Sequence, residues 1–287
     1  DGSHAASSES DWSAVATVTN SAPTLSINSV AQQAGNFIRI DYTGIDGQND
    51  TNNISVAEYS LDGSTWTAMT EKSGVGSDGL SGLAFSSAGT AHMFAWDAAA
   101  DLPDSENASV FIRLQSTDTL SSSSVAVSSS FEVDTSGPRI SAVSATQTPG
   151  SGQINIGYNI ADLSGSNSVA LQISSNNGAS WTVATTTVLG DIGTVSAGVG
   201  KSVAWNAGVD FNVQENSQMV IRIIARDGWG NAGAIVSSSA FTVDTKGPAI
   251  SAVISAQQSN GTKVETAYSL SDLTPAGNLV EFNVSSN

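Results

Sequence analysis

The chain contains no cysteine and few charged residues. The missing cysteines exclude disulfides, thiolate metal sites and cysteine nucleophiles. Charged residues make up 12% of the 287 residues, against about 25% in a typical globular protein. Most are acidic, since 26 Asp and Glu face 9 Lys and Arg for a net charge of −17. Because a phosphate backbone would repel such a chain, we expect neither nucleic acid nor an anionic membrane as a partner.

Long apolar runs and catalytic motifs are also missing. No run approaches the roughly 20 residues of a membrane helix, so we expect no membrane insertion in this segment. The two histidines, His4 and His92, do not recur in the repeats described next. No nucleophile elbow, phosphate loop or zinc-protease motif is present. The sequence therefore predicts that the chain is not an enzyme.

What the sequence does contain is an internal repeat of about 110 residues. Phe131–Pro138 (FEVDTSGP) recurs as Phe241–Pro248 (FTVDTKGP), and a weaker copy ends at Pro23. Aromatic residues follow the same period: Tyr42, Tyr158 and Tyr268; Trp66 and Trp181; Trp96 and Trp205.

The alignment of these copies predicts four segments. Residues 1–22 match the last strand of a preceding repeat, 23–137 and 138–247 form two complete repeats, and 248–287 match the first strands of a truncated repeat. We expect neighbouring chain to complete the partial repeats, either as the same polypeptide or as another subunit that donates strands. The second arrangement would form a head-to-tail filament.

Each repeat contains short runs of alternating apolar and polar residues. Gln153–Ile160 alternates strictly, which is typical of a strand with one face in a core, and Ser180–Thr186 is a further predicted strand. Clusters of Gly, Asn and Asp separate the runs. About seven strands per repeat predict an all-β fold of tandem immunoglobulin-like seven-stranded β-sandwich domains. A propeller is the weaker alternative, because its blades have only about 40–50 residues.

Several recurring side chains have structural interpretations. The three tyrosines, Trp96 and Trp205 are predicted to lie in the core. Arg113 and Arg222 are predicted to face outward beside a cross-strand carboxylate. Trp66 and Trp181 follow hairpin turns and are predicted to cover them, the alternative being an exposed platform for a sugar ring.

The order of motifs in the second repeat resembles that of a known group. These motifs are Tyr158-x-x-x-Asp162, Trp205-Asn-Ala-x-x-Asp210, Ala225-x-Asp-x-x-Gly-Asn231 and Phe241–Pro248. They resemble the tandem Ig-like (fibronectin-III-like) repeats of large bacterial cell-surface and exported proteins.

The resemblance implies an extracellular or cell-surface location. It implies a structural role in a stalk, surface layer, adhesin or filament, with neighbouring repeats or subunits of the same protein as partners. The alternative is a carbohydrate-binding accessory module of an exported enzyme, with surface glycans as ligand.

The loops of each repeat are rich in aspartate. In an Ig-like sandwich the second-strand loop, the last hairpin and the incoming linker lie at one end. This topology predicts calcium sites there, because clustered carboxylates are hard oxygen donors. The alternative is that Asp merely favours turns. The first copy should be weaker, since Thr19 and Asn20 replace the linker acid. The predicted ligands are Asp134, Asp162 and Asp227, then Asp244 and Asp272, and more weakly Asp46 and Asp118.

Overall fold

The computed structural model describes residues 19–273 and 278–285, so most of segment 1–22 and part of segment 248–287 lie outside it. The first repeat contains nine strands: β1 (Thr24–Gln33), β2 (Phe37–Ile45), β3 (Thr51–Ser60), β4 (Thr67–Ala68), β5 (Leu83–Ala84), β6 (Thr90–Trp96), β7 (Glu106–Thr117), β8 (Ala126–Val127) and β9 (Phe131–Asp134). A helical turn, α1 (Ala98–Asp101), follows β6.

The second repeat has the same sequence of elements. Its strands are β10 (Arg139–Gln147), β11 (Gln153–Ala161), β12 (Asn167–Ser174), β13 (Leu189–Gly190), β14 (Gly193–Val195), β15 (Gly198–Asn206), β16 (Glu215–Asp227), β17 (Val236–Ser237) and β18 (Phe241–Asp244). The turn α2 (Ala207–Asp210) follows β15. The third repeat is described through β19 (Ala249–Gln257) and β20 (Val264–Ser271).

Two sheets form each complete repeat. In the first, β1-β2-β6 form one sheet and β4-β3-β7-β8 the other, with β5 on β3 and β9 on β7. In the second, β10-β11-β15-β13 form one sheet and β14-β12-β16-β17 the other, with β18 on β16. The paired strands run antiparallel, as in β11 with β15 and β12 with β16. This architecture confirms the predicted all-β, Ig-like sandwich fold.

The alternation of apolar and polar residues along the strands determines which side chains form the core. Ile154, Ile156, Tyr158 and Ile160 on β11 are all buried, while the residues between them are exposed or half-buried. They belong to the same cluster as the inward side chains of β12 and β16. Burial of each such side chain contributes roughly 1.5–3 kcal/mol, and the period of two on each strand is what allows both sheets to bury one face.

Trp96 is the last residue of β6 and Trp205 the next-to-last residue of β15, and both are fully buried, as predicted. The indole N–H of Trp205 donates to Asp210 Oδ2 at 3.0 Å, so the buried ring keeps a partner for its one donor. Tyr42 and Tyr158 are also in the core.

Two predictions about individual segments were wrong. Ser180–Thr186 is not a strand, since its pairing is limited to an isolated antiparallel bridge between Val183 and Ile173, and the next residue, Thr187, instead donates its N–H and hydroxyl to Asp210 at 3.0 and 2.8 Å. Tyr268 is 40% exposed, since β19 and β20 pair only with each other in the described part of the chain.

The chain divides into two compact units. One contains the described residues up to Ala31, Ile38–Trp96 and Val110–Phe131. The other contains Gln32–Phe37, Asp97–Ser109 and the described residues from Glu132 onward. The linker residues Asp134–Pro138 therefore lie inside the second unit, and repeat boundaries at 23–137 and 138–247 remain a prediction. No helix in the described residues has the length and apolar character needed to cross a membrane.

Candidate metal centre

The described carboxylates form three clusters, in each of which one oxygen per residue lies within 4.8 Å of the others. The structure brings together all seven predicted ligands and adds Asp50 and Glu215, which sequence reasoning missed. The clusters are Asp46, Asp50 and Asp118; Asp134, Asp162 and Asp227; and Glu215, Asp244 and Asp272.

The second cluster is positioned by three strand ends. Asp134 is the last residue of β9, Asp162 follows β11 directly, and Asp227 is the last residue of β16. Asp134 and Asp227 are only 2% and 6% exposed. All three belong to the second compact unit. The geometry predicted for this trio is therefore present in the structure.

Asp227 is the member of this cluster whose two carboxylate oxygens both accept hydrogen bonds. Its Oδ1 accepts the backbone N–H groups of Trp229 and Asn231 at 3.0 and 2.7 Å. Its Oδ2 accepts the Asn231 amide at 2.6 Å. The same amide lies 3.3 Å from the carbonyl oxygen of Asp134, to which it also donates. The hairpin after β16 thus fixes one carboxylate and ties it to the linker.

Asp134 and Asp162 each keep an oxygen without a partner. Asp134 Oδ1 accepts the Ser136 N–H at 3.1 Å, and Asp162 Oδ2 accepts the Ser164 hydroxyl. Asp134 Oδ2 and Asp162 Oδ1 are buried and have no hydrogen-bond partner.

Burial, followed by the nearby charge of Asp162 and then Asp227, raises the pKa of Asp134 to about 6. Burial also raises the pKa of Asp162. The pair is therefore held in a place that disfavours its negative charge.

Glutamine clamps hold the linker backbone beside these carboxylates. The Asp134 N–H donates to Gln32 Oε1 at 2.9 Å, and Gln32 Nε2 donates to the Asp134 carbonyl at 2.5 Å. Gln147 does the same for Asp244, at 2.8 and 2.6 Å. Sequence reasoning missed these residues, although a glutamine stands at the end of the first strand of each repeat or one residue before it: Gln32, Gln147 and Gln257.

The first cluster differs because hydrogen-bond donors fill it. Asn20 Nδ2 donates to Asp118 Oδ2 at 2.9 Å and to Ser121 Oγ at 2.8 Å. Asp118 Oδ1 accepts two backbone N–H groups of the following turn at 2.7 and 2.6 Å. Asp46 Oδ2 accepts the Asn52 amide at 3.0 Å. The donors to Asp118, the Asn20 amide first, lower the pKa of that carboxyl to about 2.

The third cluster has a basic neighbour. Lys246 Nζ lies 3.4 Å from Glu215 Oε2, and the Lys246 N–H donates to Asp244 Oδ1 at 3.1 Å. Asp272 Oδ2 accepts the Asn278 amide at 3.1 Å, while its Oδ1 is buried without a partner. The third cluster therefore shares a feature with each of the others. Donors bind Asp244 and Asp272, as in the first cluster, and one buried carboxylate oxygen has no partner, as in the second.

Backbone hydrogen bonds hold the linker after each complete repeat, and close packing also holds the first of these linkers. The Thr135 N–H donates to the Ser105 carbonyl at 2.9 Å, and Thr245 repeats this contact with Gln214 at 2.8 Å. A Cβ on Gly137 would lie 2.3 Å from the backbone of Ala232. Only glycine therefore fits at this point without a shift in the backbone.

Arginines cover the hairpin tryptophans. The guanidinium carbons of Arg113 and Arg222 lie 4.5 and 4.2 Å from the ring centres of Trp66 and Trp181, within the range of a cation–π contact. Arg113 also pairs with Glu58, with Nε 2.6 Å from Oε2, as predicted. For Arg222 the predicted carboxylate partner was wrong, because its Nε donates to Gln172 at 2.7 Å.

The fold and these clusters define a tandem all-β sandwich protein with acidic centres at strand ends. No protein-family model matches the chain, and no curated protein matches it. Among the solved structures that match is the "Crystal structure of chicken CNTN1 FN1-FN3 domains". It is 11% identical, with a TM-score of 0.31, over 79% of this chain and 69% of that one.

Proposed function

We propose that this chain is a structural segment of a large extracellular surface protein, such as a stalk, surface layer, adhesin or filament. Its role is to space or assemble neighbouring repeats or subunits rather than to catalyse a reaction. The observation that carries this proposal is that residues recurring between the repeats serve packing and linker contacts.

The recurring contacts are of three kinds. Trp96 and Trp205 fill equivalent core positions. Gln32 and Gln147 clamp the linker backbone that follows each sandwich. An arginine covers each hairpin tryptophan. A segment whose repeated features all hold the fold and its linkers suits a mechanical task, since function is argued from the site that a fold carries.

One observation favours a carbohydrate-binding module instead. Trp229 is half-buried and lines a cleft of about 300 Å³ together with Gln32, Ser164 and Ser166. An aromatic ring beside hydroxyl and amide groups is a suitable surface for a sugar. Against this, the hairpin tryptophans Trp66 and Trp181 have ring faces occupied by arginine.

Surface labelling tests the proposal directly. Antibodies raised against the chain should label intact cells of the source organism, and brief protease treatment of those cells should release its peptides. Labelling that requires permeabilised cells would contradict an extracellular role. Binding on a glycan array that Trp229→Ala abolishes and Trp66→Ala leaves unchanged would instead favour the carbohydrate-binding module.

A further inference from the structure

We propose that Asp134, Asp162 and Asp227 bind one Ca²⁺, and that Asn20 takes the place of the cation in the cluster of Asp46, Asp50 and Asp118. This inference goes beyond the proposed function and does not depend on it. It assigns different ligand states to two clusters that the sequence repeat would make equivalent.

The first argument is a buried carboxylate oxygen that nothing satisfies. Asp134 is 2% exposed, and its Oδ2 has no hydrogen-bond partner. One carboxylate oxygen from each of Asp134, Asp162 and Asp227 lies within 4.8 Å of the other two, and Asp162 Oδ1 is likewise buried and unpartnered. A buried, unpaired carboxylate is strongly unfavourable, so the arrangement calls for a positive charge between these oxygens.

No basic side chain in the described part of the chain forms an ion pair with this cluster. None of the ion pairs found among the described residues involves Asp134, Asp162 or Asp227. Arg139 is bonded to Glu106 at 3.2 Å, and Glu106 adds a further negative charge near Asp134.

The donor set favours calcium. All three ligands are carboxylates, which excludes the nitrogen and sulfur donors that zinc prefers. Magnesium keeps several waters and is usually bound through one or two carboxylates, whereas calcium accepts several carboxylates directly. Three carboxylates that each bring an oxygen within 4.8 Å of the others therefore suit calcium better. Water and backbone carbonyls would complete its usual six to eight ligands.

The first cluster supplies the contrast. There the Asn20 amide donates to Asp118 at 2.9 Å, and the Asn52 amide donates to Asp46 at 3.0 Å. Asp227 in the second cluster also accepts N–H groups, but that cluster keeps two buried carboxylate oxygens, Asp134 Oδ2 and Asp162 Oδ1, without a partner. A calcium ion in the first cluster would find no such oxygens and would gain less than in the second cluster.

Calorimetric titration of the chelator-treated full chain with CaCl₂ tests the assignment. We expect a calcium dissociation constant of about 10⁻⁴–10⁻³ M, a range that is common for extracellular modules. Asp134→Asn and, separately, Asp162→Asn should each remove one equivalent of uptake or weaken it at least about tenfold. Asp118→Asn is the matched control in the first cluster and should leave the uptake unchanged.

Terbium luminescence gives a second readout, because Trp229 lies two residues from Asp227. The backbone N–H of Trp229 donates to the Asp227 carboxylate. Tb³⁺ emission excited through tryptophan should appear with the native chain and fall with Asp162→Asn. The Asp162 side chain is only partly buried, so this variant should retain the native circular dichroism.

Three results would overturn the inference. They are no heat of binding at millimolar CaCl₂, an uptake whose stoichiometry and affinity are the same in the native chain, in Asp134→Asn and in Asp162→Asn, and equal affinity for Mg²⁺. Loss of uptake in Asp118→Asn alone would reverse the assignment of the two clusters. None of these outcomes affects the surface-labelling test, so the two proposals fail separately.

Discussion

The stability of the metal-free chain should fall as the pH rises from about 4 to about 7. The pKa of Asp134 in the folded chain is raised to about 6 from an ordinary 3.8. A carboxyl with a raised folded pKa contributes stability that is fully present below the unfolded pKa and lost as the pH passes the folded pKa. The expected slope is therefore opposite to that of a salt-bridged aspartate.

The magnitude follows from the shift. A change of one pKa unit corresponds to about 1.36 kcal/mol, so the rise of Asp134 from 3.8 to about 6 corresponds to roughly 3 kcal/mol of unfolding free energy. The lowered pKa of Asp118, about 2, acts in the opposite direction. Its contribution is complete above the unfolded value and is lost only in more acidic solution, so the window from about pH 4 to 7 separates the two effects.

Urea unfolding in a chelator, followed by tryptophan fluorescence across this pH range, measures the effect. The comparison is with Asp134→Asn, which keeps the shape of the side chain but cannot ionise. The native chain should lose about 3 kcal/mol relative to the variant between pH 4 and 7, and saturating CaCl₂ should remove that loss. Parallel pH profiles for the two proteins would refute the reasoning, because the general acidity of the chain affects both equally.

Two further predictions concern packing. Gly137→Ala should destabilise the chain by about 1–3 kcal/mol, as overpacking does, because its Cβ would lie 2.3 Å from the Ala232 backbone. Gly247→Ala is the control, since nothing lies within 4 Å of a Cβ there; equal effects in urea unfolding would contradict this explanation. Arg222→Ala should cost about 0.5–1 kcal/mol through the lost cation–π contact and change the fluorescence of Trp181, 4.2 Å away. Unchanged emission would mean that the guanidinium does not cover the ring in solution.

The fold could be predicted because its signals are local and repeated. Strict alternation in β11 identifies a strand with one buried face, and the fixed spacing of Trp96 and Trp205 identifies equivalent core positions. The meeting of Asp134, Asp162 and Asp227 was predictable because sandwich topology brings those strand ends together.

The state of each acidic cluster was not predictable from spacing. Asn20 reaches Asp118 across 98 residues, and Gln32 reaches Asp134 across 102 residues. Such side-chain contacts depend on which rotamer points into a loop, and they leave no period in the sequence. The hydrogen bonds from Thr187 to Asp210 are contacts of the same kind. They directly follow Ser180–Thr186, which the alternation of apolar and polar residues predicted to be a strand.

The glutamine clamp also has a consequence for the order of folding. Gln32 is the next-to-last residue of the first strand of its repeat, and its partner Asp134 comes 102 residues later. A ribosome that adds about 5–20 residues per second needs about 5–20 s to cover that interval. During this time the Gln32 side chain cannot make the two hydrogen bonds that hold the linker backbone. We therefore expect the clamp of each repeat to form only after its own exit linker has been synthesised, when the next repeat has begun.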